Sequence, residues 1–229
     1  MGTTRFPSGV TNSAPRTCLG NMGQPDPLKF HTYFNDFNTY LASDWVVSKT
    51  GTGTQALADG DGGLLLTTNS AGVSDAVFNQ LVKQGFLMEA GKRAFFKARF
   101  KISDATQSAM QLGLIITDTS PLDATDGIYF QKDDGDTHID LYVRKDTTTG
   151  SDSTSDIAEL VDNTFITLGF EFDGKQTVFA YVNDVLVARL DASATYLPDS
   201  SLTVSFGIQN GEAVAKSMTL DYILAAKER

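Results

Sequence analysis

The stretch Thr164 to Asp191, TFITLGFEFDGKQTVFAYVNDVLVARLD, decides the fold class of this chain. Its first part alternates side chains with a period of two, which predicts a strand with one buried face. The apolar face of this strand consists of Ile166, Leu168, Phe170 and Phe172. Asp173-Gly174 then predicts a type I′ hairpin turn, because glycine accepts a positive φ at little cost.

The same stretch continues with a second strand over Thr177 to Asn183 and a turn at Asn183-Asp184. A third strand over Val185 to Asp191 completes a predicted β-meander. Outward from the meander, similar patterns predict a body that begins at Phe30 to Phe37 and further strands at Asp44 to Ser48, Gly63 to Thr68, Asp75 to Val82, Arg93 to Ile102, Met110 to Thr117, Gly127 to Gln131, Thr137 to Arg144, Leu202 to Ile208 and Lys216 to Ala226.

The segments between these strands are short and rich in turn residues. Thr50 to Gly63 and Lys145 to Ser155 are polar stretches that predict exposed loops. Ten or more consecutive residues with helical periodicity are not found in the sequence. Many short strands joined by turns predict an all-β protein, an antiparallel β-sandwich or jelly roll.

The length of 229 residues suits one β-sandwich domain with an appendage. We predict an extended N-terminal arm over residues 1–29 and a jelly-roll domain over residues 30–229.

No apolar run is long enough for a membrane span, and the start lacks the pattern of a signal peptide. The sequence therefore predicts a protein made in a cytosol, with Cys18 as a free thiol.

The formal net charge is −10, and it is unevenly distributed. Residues 1–29 contain Arg5, Arg16 and Lys29 against Asp26, a net charge of +2, which leaves −12 for the remainder. An acidic body argues against nucleic acid as a partner, since phosphate binding needs clustered Lys and Arg. Three interpretations of the basic arm stay open, namely self-association, docking on an acidic surface, or a solvated tail.

The arm contains four of the six prolines and shows no period of a helix or strand. We expect it to be ordered only where it lies on another surface. Three alternatives stay open: the arm packs on its own body, crosses a neighbouring subunit, or is disordered. Its spaced apolar anchors are Phe6, Val10, Leu19, Met22 and Leu28.

The sequence offers little for catalysis. Nucleophilic triads need a histidine, and we interpret both His31 and His138 as structural or surface residues. A glucanase on this fold would carry an alternating E-x-D-x-x-E set on one strand. The nearest match is Glu171-Phe172-Asp173, but Asp173 enters a turn and Gln176 stands where the second glutamate belongs. We therefore predict a protein that is not an enzyme.

Metal, cofactor and anion sites also have weak support. Asp59-Gly60-Asp61 and Asp133 to Asp136 are either turns stabilised by Asp and Gly or calcium sites, which leaves calcium open. The sequence lacks a Cys/His cluster for zinc and a phosphate-binding glycine loop, so we expect no cofactor. The basic strand face of Lys97, Arg99 and Lys101 is typical of a solvated or salt-bridged surface.

Three segments resemble head proteins of tailed bacteriophages. They are TTRFPSGVTN at 3–12, FHTYFNDFNTYLASDW at 30–45 followed by GGLLLTT, and VSFGIQNGEAVAKSMTLDYI at 204–223. The second of these is similar to the entry strands of concanavalin-like jelly rolls. The resemblance implies a capsid decoration (cement) protein, often a homotrimer, on the outer surface of the virion.

The resemblance implies that the protein stabilises the head by bridging subunits of the major capsid protein, with the arm as docking element. The expected contacts with the capsid or a neighbouring subunit are Arg5, Phe6, Pro7, Val10, Thr11, Asn12, Leu19 and Met22. Neither a membrane nor a nucleic acid is expected as a partner. The alternative is a carbohydrate- or receptor-binding module on a phage fibre or spike, which would need a surface that binds glycans.

Overall fold

A computed structural model of the protein describes residues 18–19, 28–60, 62–147 and 150–229. In these residues sixteen strands form two antiparallel sheets that pack face to face. The strands are β1 (Phe30–Asn35), β2 (Trp45–Thr50), β3 (Thr54–Gly60), β4 (Gly62–Thr68), β5 (Ala76–Leu81), β6 (Phe86–Leu87), β7 (Ala94–Ile102), β8 (Ser108–Ile115), β9 (Gly127–Lys132), β10 (His138–Arg144), β11 (Asp152–Glu159), β12 (Ile166–Phe172), β13 (Thr177–Val182), β14 (Val185–Asp191), β15 (Ser201–Asn210) and β16 (Ser217–Glu228).

Sheet I has the order β14-β13-β12-β7-β16-β4-β3, with β1 also paired to β16. Sheet II has the order β11-β10-β9-β8-β15-β5-β2, with β6 paired to β15. The helical content of the described residues is two 3₁₀ turns, Ala42–Asp44 and Pro121–Asp123. None of the described helices is long and apolar enough to cross a membrane. The predicted all-β antiparallel sandwich is confirmed.

The meander of β12, β13 and β14 is confirmed, but its two turns differ. Asn183 and Asp184 both have positive φ, of 48° and 65°, as a two-residue hairpin turn requires. The predicted type I′ turn at Asp173-Gly174 is wrong, because only Gly174 has a positive φ there. The Asp173 carboxylate instead accepts hydrogen bonds from the next amides, those of residues 175, 176 and 177, and closes a longer loop.

The core lies between the two sheets and is filled by the predicted alternating positions. Phe96 of β7 and Phe170 of β12 stack with ring centroids 5.4 Å apart. Phe130 of β9 reaches across to Phe170 from sheet II, at 6.0 Å. Trp45 is buried against Phe206, with ring centroids 5.2 Å apart, and belongs to the core. Burial of so many aromatic and aliphatic side chains is the main stabilising contribution to this fold.

Two strands lie inside segments that were expected to be loops. Strand β3 occupies most of the predicted loop Thr50 to Gly63, and β11 begins within Lys145 to Ser155. Both are edge strands, paired on one side to β4 and β10. Their side chains are mostly exposed or only partly buried, so the alternation that marks a half-buried strand is absent from their sequence.

Strand β16 contains a bulge that changes which residues face the core. Its partner register on β7 moves from Leu220 opposite Phe100 to Tyr222 opposite Arg99, so Asp221 is the extra residue. Met218 and Leu220 face the core before the bulge, and Ile223 and Ala225 face it afterwards. Leu224, which an unbroken alternation from Met218 would place in the core, therefore packs with Phe30 and Phe95 on the outer face of the sheet.

Candidate functional site

The outer face of sheet II carries a groove of about 450 Å³. Its floor is built from the strand positions that alternate with core residues and therefore point away from the core. On β9, for example, Phe130 lies in the core and Gln131 lines the groove. The other floor positions belong to β2, β5, β8 and β15, and are Ser48, Thr50, Ala76, Phe78, Ala109 and Gln209.

One wall of the groove is the loop 116–126, which folds over the outer face of sheet II. Residues Thr119 to Asp123 of this loop line the groove. The fully buried Gln80 holds the loop by two hydrogen bonds to the backbone of Asp118: its Nε2 donates to the carbonyl at 2.6 Å, and its Oε1 accepts from the amide at 2.8 Å. Ser48 Oγ donates to the same carbonyl at 3.1 Å.

The far end of this loop is fixed by a small apolar cluster of Ile115, Ala124 and Tyr129. Arg144 Nη1 donates to the Ala124 carbonyl at 3.2 Å, and its guanidinium lies over the rings of Tyr129 and Tyr142. Because both ends are held by buried groups, the loop presents a fixed wall.

The opposite wall is the β9–β10 turn, where Asp133 and Asp134 line the groove. Lys132 holds this turn from beneath, with only 1% of its surface exposed. Its Nζ donates to the carbonyls of Asp133 at 2.9 Å, of Asp136 at 2.7 Å and of Ser108. Burial lowers the pKa of Lys132 to about 8, against the opposing effect of the nearby aspartates.

The lining of the groove is rich in hydrogen-bonding groups. Gln131 Nε2 donates to Asp133 Oδ1 at 2.9 Å, while its Oε1 is buried without a partner among the described residues. Gln111 lies opposite Gln131 on β8, and its Nε2 is likewise unpartnered in the part of the chain described. Of these two residues only Gln131 lines the groove, and its unsatisfied amide oxygen is an acceptor for a polar ligand there.

The carboxylates of the groove are confined to its walls, at Asp123, Asp133 and Asp134, whereas the floor residues named above are neutral and Lys49 of β2 adds one cation to the lining. Glu171 lies on the outer face of sheet I, across the sandwich from the groove, where Tyr181 Oη donates to it at 3.4 Å. The segment that came nearest to a glucanase motif therefore has no part in this site.

The two histidines also lie outside the groove lining. His31 packs against the ring of Phe86 at 4.9 Å, and burial together with Arg229 and Lys227 lowers its pKa. His138 is exposed, and its Nδ1 lies 2.8 Å from Asp136 Oδ1, which raises the pKa of the imidazole.

Most of the predicted partner-binding residues, namely Arg5, Phe6, Pro7, Val10, Thr11, Asn12 and Met22, lie outside the described residues. Leu19 is described, and it packs on Phe30, Phe95 and Ala226 at the outer face of sheet I. Its neighbour Cys18 is a buried free thiol, as expected, and its Sγ donates to the carbonyls of Phe96 and Phe170. Burial raises the pKa of this thiol. Residues 18–19 therefore lie on the chain's own body.

The basic strand face is engaged in ion pairs, and the acidic turn Asp133 to Asp136 forms part of the groove. Lys97 pairs with Asp184 at 2.7 Å, and Arg99 pairs with Asp221, which confirms a salt-bridged surface. Asp61 lies outside the described residues. Asp136 is exposed and engaged with His138, so the turn Asp133 to Asp136 serves as a wall of the groove and as a hairpin turn.

Sequence reasoning missed the groove, although a signal was available. Polar residues stand at the outward positions of strands that are otherwise apolar, at Gln80, Gln111, Thr203 and Ser205, and all four are fully buried. Polar residues at outward positions in the middle of an otherwise apolar sheet predict that another segment of the chain covers its outer face and supplies hydrogen-bond partners. The loop that covers it is anchored through Asp118, which is far away in the sequence from Gln80.

No family model and no curated protein matches the sequence. Solved structures match the fold over most of the chain. The endo-1,3-beta-glucanase from Streptomyces sioyaensis has a TM-score of 0.61 at 12% identity, covering 88% of this chain and 98% of the glucanase. The carbohydrate recognition domain of Emp47p has a TM-score of 0.59 at 13% identity, covering 87% and 97% of the two chains.

The fold is a concanavalin-like jelly roll. A protein of unknown function from Shewanella oneidensis MR-1 also has this architecture, with a TM-score of 0.62 at 13% identity and 87% of each chain covered. Identities this low establish the fold alone. The jelly roll is thus shared by enzymes and by carbohydrate recognition domains, and the groove must be judged by its own residues.

Proposed function

We propose that this protein is a carbohydrate-binding domain that holds its ligand in the groove on the outer face of sheet II and does not cleave it. The observation that carries the proposal is the lining of the groove. Amide, hydroxyl and carboxylate groups from Gln131, Ser48 and Asp134 converge there on one concavity. Sugar hydroxyls donate and accept hydrogen bonds, and side chains of these three types match both roles.

Rigidity of the walls supports the same proposal. A ligand that orders mobile loops loses part of its binding free energy, whereas preformed walls avoid that loss. Here Gln80 fixes the loop 116–126 and Lys132 fixes the β9–β10 turn. Structures with the same fold include a carbohydrate recognition domain and glucanases, which supports the proposal by analogy.

Binding without hydrolysis follows from the position of the carboxylates. Glycoside hydrolysis with retention needs two carboxyl groups ~5 Å apart across the scissile bond, and inversion needs them ~6.5–9.5 Å apart. The groove offers aspartates from two different walls rather than an alternating pair on one floor strand. We therefore expect that the purified protein releases no reducing sugar from the glycans it binds.

A glycan array probed with the purified chain tests this proposal and identifies the ligand. Gln131→Ala is then expected to weaken binding of the best glycan by at least ~10-fold in calorimetry, because a buried amide contact is lost. Gln176→Ala removes the same side chain from an exposed loop beside sheet I, and it serves as the matched control. Equal affinities of the two variants, or a complete absence of binding to glycans, would contradict the proposal.

A second candidate function, decoration of a phage head, is favoured by two surface features. Residues 18–19 dock on the outer face of sheet I, so the residues before them start from that surface. In addition, three consecutive aliphatic side chains, Val185, Leu186 and Val187, are exposed on the edge strand β14. Exposed apolar edges of this kind are typical of surfaces that bind another protein.

In this second proposal a homotrimer lies on the outer surface of the virion and contacts the major capsid protein through the arm. Co-sedimentation with phage heads tests it, using the full chain and a variant that lacks residues 2–17 but retains Cys18 and Leu19. Loss of head binding in the truncated variant is expected. The arm has no docking role if both proteins reach the same occupancy on heads.

A further inference from the structure

Three loops at one end of sheet II bring three carboxylates together. Asp126 immediately precedes β9, Asp146 follows β10, and Asp199 precedes β15. The start of β9 and the end of β10 lie side by side, since Gly127 pairs with Arg144. The ligand oxygens that the three aspartates offer all lie within 4.8 Å of one another.

One member of this cluster is a buried carboxylate with an unused oxygen. Only 3% of the surface of Asp126 is exposed. Its Oδ2 accepts a hydrogen bond from Thr125 Oγ1 at 2.8 Å, but its Oδ1 has no partner among the described residues. An uncompensated buried carboxylate is strongly unfavourable, so this oxygen requires a cation or a donor.

The protein itself supplies only part of the compensating charge. Lys145 Nζ lies 2.5 Å from Asp199 Oδ2, at the exposed side of the cluster. Arg144, the preceding residue, is engaged with the Ala124 carbonyl and with two tyrosine rings. Three carboxylates and the Lys145 ammonium leave a net charge of −2, which a divalent cation balances.

We propose that Asp126, Asp146 and Asp199 bind a calcium ion. Calcium takes carboxylate oxygens at about 2.3–2.6 Å, so two oxygens bound to one ion lie at most about 5.2 Å apart, and the ligand oxygens of the cluster, all within 4.8 Å of one another, meet this limit. Calcium also accepts exposed and irregular sites completed by water, which suits a cluster with two exposed members. The ion would join loop 116–126 to the loops that carry the other two aspartates.

A second triad, Asp136, His138 and Asp156, lacks the features that support this proposal. All three of its members are exposed, and His138 Nδ1 is already paired with Asp136. None of its side chains is a buried group with an unused atom. This triad therefore provides a control rather than a competing site.

The test uses metal-free full-length protein titrated with CaCl₂ in calorimetry and in thermal unfolding, with MgCl₂ as a second probe. We expect calcium to bind with a stoichiometry of one. At 100 times its dissociation constant it should raise the melting temperature by about 5–10 °C. Magnesium should bind more weakly, because it requires shorter and more regular coordination.

Two substitutions locate the site. Asp126→Asn and Asp146→Asn should each lower calcium affinity by at least ~10-fold and remove most of the thermal shift. Asp146 is exposed with a φ of 53°, a conformation that asparagine also accepts, so this variant should fold even if Asp126→Asn does not. Asp156→Asn is its matched control, as Asp156 is exposed with a φ of 57°.

The control should bind calcium like the wild type. The proposal is overturned if the wild type shows no calcium-dependent shift, or if the Asp146→Asn variant keeps its affinity. It is equally overturned if Asp156→Asn, and not Asp146→Asn, loses the ion. All of these measurements are independent of carbohydrate binding, so they remain decisive even if no glycan binds the groove.

Discussion

Replacing Lys132 by methionine should change how the stability of this protein depends on pH. Lys132 lies beneath the groove wall, and its ammonium group donates to the carbonyls of Ser108, Asp133 and Asp136. Burial lowers its pKa from 10.5 to about 8, although the carboxylates of Asp134, Asp136, Asp104 and Asp133 oppose that change. The unfolded chain therefore holds this proton more tightly than the folded protein does.

The sign and size of the effect follow from this difference in pKa. Below pH 8 both states are protonated, and the burial of the charge destabilises the folded protein. As the pH rises through 8, the folded protein releases the proton first, so the contribution of Lys132 to stability increases until about pH 10.5. With about 1.4 kcal/mol for each pKa unit, the gain between pH 7 and pH 9 is about 1.3 kcal/mol.

Guanidinium unfolding of the wild type and Lys132→Met at pH 7 and pH 9 measures this gain. Titrations of all other groups are shared by the two proteins and cancel in their difference. The difference in the free energy of unfolding, wild type minus variant, should rise by about 1.3 kcal/mol between the two pH values. A difference in the free energy of unfolding that stays constant or falls with pH would refute the reasoning. NMR titration of the Lys132 side chain in the wild type gives its pKa directly, even if the variant fails to fold.

Three further predictions concern groups that the fold brings together from distant segments. Gly169→Ala would place a Cβ 2.5 Å from Cys18 Sγ and 2.9 Å from the Phe96 carbonyl. The Cys18 thiol of the native wild type should be inert towards a disulfide reagent, because it is buried and its pKa is raised. We expect this thiol to react faster with the reagent in the Gly169→Ala variant. A double-mutant cycle of Arg99→Ala and Asp221→Asn should give a coupling of only ~0.5–1 kcal/mol, because the Arg99 side chain is 40% exposed. Gln80→Ala should leave the Asp118 amide without its buried partner and the Asp118 carbonyl with only Ser48 Oγ as a donor, and hydrogen exchange should show the loop 116–126 opening at least ~10-fold more often.

The strands that build the core were predictable from the sequence, and the edge strands were not. In β7 and β12, one face is apolar and meets the core, and the other carries more polar residues such as Lys97, Arg99 and Glu171, so the alternation is visible in the residues themselves. Strand β3 has no buried residue, and its existence depends on backbone pairing with β4. Backbone hydrogen bonds leave no hydrophobic pattern in a sequence.

The bulge at Asp221 shows a second limit. An inserted residue shifts the register of β16 against β7, and local alternation cannot reveal where that shift occurs. The ion pair between Arg99 and Asp221 accompanies the bulge, but these residues are separated by more than 120 positions.

The groove was not predictable, because its parts come from segments that are distant in the chain. Its floor needs five strands, its walls need the loop 116–126 and the β9–β10 turn, and Gln80 holds Asp118 across 38 positions. The cluster of Asp126, Asp146 and Asp199 likewise arises only when three loops meet. The mismatch of the meander to a glucanase motif, in contrast, depends on spacing within one strand and is visible in the sequence itself.

Mapping of a bound glycan onto the protein by NMR tests the central claim, that the outer face of sheet II binds carbohydrate. The ¹⁵N-labelled full chain is titrated with the best glycan from the array. We predict that amide shifts concentrate at Ser48, at Thr119 to Asp123, at Gln131 and at Asp134, while the region around Cys18 and Gly169 on sheet I stays unchanged. Shifts confined to the outer face of sheet I, or a saturable glycan complex that leaves the groove amides unmoved, would contradict the account.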